Sequence, residues 1–151
     1  VTNLKRCTMA LHASTVIVPI DFSSASASAI NTGLEIVENS SQLYLIHVML
    51  PLETMSPGVL LGDVTDVSRT EKVTTALKKL AETHKATDAH LAVTIGTPGL
   101  EIADYAKREK ADLIIIPSHG YHGLKRLFLG SVAERVLRHA PCRVLVLRRP
   151  D

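Results

Sequence analysis

The sequence predicts an open α/β fold in which five parallel strands form one sheet with helices on both faces, and three observations carry that expectation. Five short apolar, β-branched runs recur along the chain, segments with helical spacing of apolar residues separate them, and the first, fourth and fifth runs are almost continuous in Val, Ile and Leu. Half-exposed strands alternate apolar with polar residues, whereas parallel strands buried on both faces do not. Parallel neighbours also need crossover helices between them.

The elements follow in order. Residues 15–20 read as the first strand, and the serines Ser23 and Ser24 behind it supply a helix cap ahead of Ile30, Leu34 and Val37 at i, i+4, i+7. Residues 42–48 read as the second strand. The connection 49–68 is longer than usual and contains Val59, Leu60 and Leu61 beside Pro57 and Gly58, which suits either a lid over a site or a loosely packed insertion. Val73, Leu77 and Leu80 then mark the second helix, with Lys78 and Lys79 outward. Residues 90–95 read as the third strand. Thr97 and Pro98 look like an N-cap and a first-turn proline for a helix with Ile102 and Ala106 on one face. Residues 112–116 and 143–147 read as the last two strands. Between them Val132, Val136 and Ala140 form a stripe that Pro141 ends, with Glu134 and Arg138 placed for an i, i+4 ion pair.

The chain has 151 residues, within the range of one domain at about 100–200 residues each. Residues 1–14 read as a leader and 15–151 as a single domain. With 46% hydrophobic and 21% charged residues, the composition is that of a folded globular protein. Seventeen basic against fifteen acidic side chains give a formal charge of +2, too balanced for the strong positive field of a nucleic-acid binder. Aromatics make up only 3%, with no tryptophan, so base-stacking platforms are also lacking. Cys7 and Cys142 have no zinc or redox spacing and read as reduced thiols. No run of about 18 apolar residues is present, so no membrane partner is expected and the location expected is cytoplasmic.

In such a sheet, ligands bind beyond the carboxyl ends of the strands where strand order reverses. Asp21 stands there, after Pro19 and Ile20, either to accept hydrogen bonds from a ligand or to cap the following helix. The fourth strand ends at Ile116 and Pro117 and runs into a loop with Gly120 and Gly123, the bases Lys125 and Arg126, and then Gly130 and Ser131 at a helix start. Backbone N–H groups of Gly120, Gly130 and Ser131 and the helix dipole suit a phosphate, although glycines also serve plain turns. His119, His122, His47 and Asp21 lie near the same edge, but His-x-x-His in a glycine loop lacks the scaffold of recognised metal motifs. The expectation is therefore no metal site. Ser131 has no G-x-S-x-G setting and no Walker pattern is present, so a catalytic role beyond slow ATP hydrolysis is not expected.

From about Ser14 to Arg149 the chain resembles the universal stress protein (UspA-like) family. Its nucleotide-binding members carry G-x2-G-x9-G-(S/T) after the fourth strand and an aspartate after the first. Here Gly120, the nine residues 121–129, then Gly130 and Ser131 match the second half of that pattern, and Asp21 matches the aspartate. Val48 aligns with the residue whose backbone contacts adenine. The resemblance implies a Rossmann-like, adenine nucleotide alpha hydrolase-like sheet of order 3-2-1-4-5. It implies ATP or AMP as ligand, with Mg2+ accompanying it, held by Pro19, Ile20, Asp21, Val48, Ile116, Pro117, Gly120, Gly130, Ser131 and Val132. It also implies a homodimer paired through the last strand, 143–148, acting as a stress-response regulator on a protein partner. The first glycine of the pattern is replaced by Pro117, which has no N–H and a fixed φ. That departure supports a second reading, a dimeric stress adaptor with a degenerate pocket.

Overall fold

The computed structural model of the chain describes residues 13–52, 65–118 and 129–148. Its strands are β1 (Val16–Pro19), β2 (Leu43–Met49), β3 (His90–Ile95), β4 (Leu113–Pro117) and β5 (Arg143–Leu147). The helices are α1 (Ser24–Ile36), α2 (Asp66–Thr83), α3 (Pro98–Arg108) and α4 (Ser131–His139). All pairings are parallel, and the strand order is β3-β2-β1-β4-β5. Order therefore reverses between β1 and β4. Helix α2 begins at Asp66, so the connection after β2 is shorter than the expected 49–68. Thr65 and Ser68 form a capping box there. A short 3-10 turn, Ser40–Gln42, closed by the Asn39 cap, leads into β2. Among the described residues, no helix is long and apolar enough to cross a membrane.

Side-chain alternation divides the core into two layers. Val16, Val18, Leu43, Leu45, Leu113 and Ile115 pack with Ala29, Ile30, Leu77 and Ala81 of α1 and α2. Ile17, Ile46, Ile114 and Ile116 point the other way, against Ile102, Tyr105 and Ala106 of α3 and Ala133 and Val136 of α4. The central strands are thus apolar on both faces, which is why their sequence does not alternate. Each fully buried Ile or Leu contributes about 1.5–3 kcal/mol relative to exposure. Helix α4 departs from expectation in one respect, since Val132 is 36% exposed and only Ala133 and Val136 are buried in it. The Glu134 to Arg138 ion pair forms at 2.9 Å on its solvent face.

Helices α3 and α4 touch through Gly99. A Cβ there would lie 2.6 Å from Arg135 Cβ and 2.9 Å from its Cγ. Because Cβ is fixed to the α4 backbone, a larger residue must push the helices apart. At Gly33 the nearest atom is Leu43 Cδ1, 2.7 Å away, at the end of a flexible side chain. Gly99→Ala is therefore expected to cost about 1–3 kcal/mol. Gly33→Ala should stay within about 1 kcal/mol of the parent, because the helix-propensity gain offsets the leucine's movement. Urea denaturation checks both, and equal midpoints would refute the packing argument.

At the amino end of the sheet, four side chains stack in series. The Arg108 guanidinium lies 4.9 Å over the Tyr105 ring, Tyr105 meets Tyr44 edge-on at 6.4 Å, and Tyr44 stacks on His90 at 4.3 Å. Burial, with the Glu109 carboxylate adding and Arg108 opposing, pushes the Tyr105 phenol up from 10.0 to about 12.

Candidate functional site

At the carboxyl edge of the sheet the ladder between β1 and β4 breaks off, a break called the gap below, and two prolines explain it. Strand β4 runs to Pro117 and pairs with β5 along its whole length, Leu113↔Arg143 through Pro117↔Leu147. Its pairing with β1 stops after Val16↔Leu113 and Ile17↔Ile114, although β1 continues to Pro19. In a parallel strand, successive residues turn their backbone groups to opposite neighbours. Ile20 donates its N–H to Ile46 O at 2.8 Å, so even-numbered β1 residues face β2 and Ile17 and Pro19 face β4. Ser118 donates to Leu147 O at 2.8 Å, so Ile115 and Pro117 face β1. The next donors needed to extend the β1–β4 ladder are therefore the N–H groups of Pro19 and Pro117, and proline has none. The ladder ends at that point, leaving the carbonyls of Pro19 and Ile115 without a donor from the facing strand.

Val48 contributes on the β2 side. Ile46 accepts from Ile20, so the N–H and C=O of Val48 turn the same way, past the end of β1. Met49 turns oppositely and accepts from Gly96 at 2.9 Å. Val48 thus offers a donor and an acceptor side by side. Thr94, its register partner on β3, has a buried Oγ1 with no hydrogen-bond partner among the described residues.

Asp21 follows β1 and is exposed, with its carboxylate held in place from below. Its Oδ1 accepts from Ser23 N at 3.0 Å, from Ser23 Oγ at 2.6 Å and from Ser26 Oγ at 2.6 Å. Its own N–H donates to Ser26 Oγ at 2.9 Å. Ser26 is 1% exposed, and this exchange with Asp21 satisfies it. Ser23 is the N-cap of α1, yet its side chain makes no cap bond. The capping expected of the serines falls in part to Asp21, which takes the Ser23 amide while presenting a carboxylate at the edge.

On the other side of the gap, Ser118 ties α4 to β4, since Gly130 donates its N–H to Ser118 O at 2.8 Å. This corrects one expectation: the Gly130 amide is already used within the chain. Among the described residues, no side chain caps α4. Its first-turn amides, from Ser131 and Val132, have no intrahelical acceptor, as in any α-helix, and carry the positive end of the dipole. Gly120, His119, His122, Lys125 and Arg126 lie outside the described residues. Among those described, no group of three side chains could hold a metal ion. His47, considered in the sequence as a metal ligand, instead places Nδ1 2.7 Å from Ile20 O. Pro19, Ile20, Asp21, Val48, Ile116, Pro117, Gly130, Ser131 and Val132 all stand at this one edge, on β1, β2, β4 and the start of α4.

Comparison with known proteins adds the following. The model of the universal stress protein family matches residues 13–148. The chain is 34% identical over 143 residues to universal stress protein MJ0531 of Methanocaldococcus jannaschii, covering 89% of this chain and 82% of that protein. It is 29% identical over 144 residues to universal stress protein YxiE of Bacillus subtilis, covering 88% and 97%. Among solved structures, protein MJ0577 superposes with a TM-score of 0.76 at 25% identity over 91% of this chain and 97% of that one. Universal stress protein UspA from Lactobacillus plantarum gives 0.69 at 25% identity over 91% and 99%. A universal stress protein solved in complex with cAMP shares the fold, with a TM-score of 0.61 at 22% identity over 92% and 99%.

Proposed function

The chain belongs to the universal stress protein family, and from that premise we propose that it is a dimeric regulator whose carboxyl-edge crevice binds an adenine mononucleotide, ATP or AMP. What supports the reading is that three different kinds of group stand at the same carboxyl edge of the sheet. Val48 offers a backbone donor and acceptor, which match the hydrogen-bonding edge of a purine base. Asp21 offers a fixed carboxylate, which accepts from ribose hydroxyls. The start of α4 offers amides with no intrahelical acceptor and a positive dipole, which suit a phosphate.

In this reading Pro19, Ile20, Ile116 and Pro117 form the walls, and Ser131 and Val132 supply the anion donors, with Gly130 holding α4 in place. Gly120 belongs to the same proposal by its place in the motif. Mg2+ enters, if at all, with the nucleotide's phosphates. The protein works as a cytoplasmic homodimer paired through residues 143–148, and occupancy alters the surface offered to a protein partner. Strand β5 is a sheet edge of half-buried Val and Leu, which a second copy would cover.

Pro117 favours one competing reading, a dimeric adaptor whose pocket no longer binds. Calorimetric titration with ATP, AMP and cAMP separates the two. Saturable binding of one of them below about 1 mM is expected, weakened at least about tenfold by Asp21→Ala, or about 1.4 kcal/mol. Absence of heat with all three at millimolar concentration overturns the nucleotide reading.

A further inference from the structure

We propose that His47 is the positioning residue of this site: from β2 it fixes the β1–α1 turn that presents Asp21, and so sets the affinity of the crevice. The affinity part rests on the nucleotide reading above, whereas the positioning part does not.

The backbone of Ile20 is held from β2 on both its groups. Its N–H donates to Ile46 O at 2.8 Å, and its C=O lies 2.7 Å from His47 Nδ1. A carbonyl can only accept, so Nδ1 carries a proton and donates it to Ile20 O. Asp21 comes next in the chain. After it, Phe22 adopts φ 61°, a left-handed backbone that bulky side chains rarely take. The Phe22 ring is 39% exposed and rests tilted on the His47 imidazole, with centroids 4.9 Å apart. His47 therefore holds the residue before Asp21 by a hydrogen bond and the residue after it by ring contact. Strain in a backbone persists where the surroundings over-determine it, and here one side chain contributes from both directions. Ser23 and Ser26 then orient the carboxylate on a turn already set.

Two substitutions divide the hydrogen bond from the packing. His47→Phe keeps a ring against Phe22 and loses the donor, whereas His47→Asn places an amide N–H near the position of Nδ1. The full-length chain is measured three ways: by the long-range 1H–15N spectrum of the His47 ring, by amide exchange at Asp21 and Ser23, and by titration with ATP and AMP. The parent should show the Nδ1-protonated tautomer. His47→Phe should speed exchange at both amides and weaken nucleotide binding, each by about tenfold, the size of one lost hydrogen bond. His47→Asn should restore both to within about threefold of the parent. A ring in the parent whose Nδ1 carries no proton overturns the proposal without any variant having to fold, and equal behaviour of the Phe and Asn variants overturns it too. If the parent binds neither nucleotide, the functional reading falls, while the tautomer and the exchange rates still decide the positioning role.

Discussion

Replacing Pro117 by glycine is expected to tighten ATP and AMP binding by about 10- to 100-fold, the worth of one hydrogen bond to a charged group at roughly 1.5–3 kcal/mol. The backbone of residue 117 faces β1, so a restored N–H would point toward the Pro19 carbonyl, and a charged phosphate placed there is the stronger acceptor of the two. The gain is large because the chain has spent another donor, Gly130, on Ser118. Pro117→Ala restores the same N–H with less backbone freedom and should give a gain of the same sign. The measurement is calorimetric titration of parent and variants in the same buffer. A gain from a measurable baseline supports the nucleotide regulator. Silence in the parent and in both variants supports the adaptor with a lapsed pocket.

Alkaline pH should weaken the fold by about 2–3 kcal/mol through Tyr105 alone. Tyr105 is 5% exposed, and its phenol ionises only near 12 in the folded chain, against 10.0 as an ordinary value. The unfolded chain therefore releases this proton first. The tyrosine's contribution is intact below pH 10 and is lost as pH rises through about 12. Burial also raises the Cys142 thiol, with the Asp112 carboxylate adding, so a smaller loss of the same sign starts above its ordinary 9.0. Urea unfolding of the parent should show stability falling steadily from about pH 9 to pH 12, and Tyr105→Phe should remove about 2 kcal/mol of that fall. The same fall in parent and variant would show that Tyr105 does not cause it.

Much of the architecture was legible because it depends on local patterns. β3 and β5 lie at their expected bounds, and the continuous apolar runs of β1 and β4 announced burial on two faces. The strand order came from the family resemblance, and the sheet has that order. Other features depend on pairings between distant residues. Val132 was expected to face inward from its spacing to Val136, yet it stands 36% exposed in the first turn of α4, where Ala133 takes the buried position. The loss of the Gly130 amide requires Ser118, twelve positions earlier, to lie against it. His47 drew attention only for its chemistry as a ligand, because nothing local says that its ring meets the carbonyl of Ile20, 27 residues away. The Pro19 and Pro117 relation had a visible signal in two β-branched residues each followed by proline, at the ends of strands expected to be neighbours. Interpreting it required the register, which shows that both face the same gap.

The paired prolines also limit what kind of guest the seam can admit. A peptide that adds to a sheet edge needs that edge to donate and accept in alternation along its length. Here each rim lacks one donor, so a carbonyl of an intruding segment would face a proline nitrogen that has no hydrogen to give. The interior rim of this protein is thereby a poor template for β-augmentation, and its unfilled acceptors favour a compact visitor rich in hydroxyl and amino hydrogens.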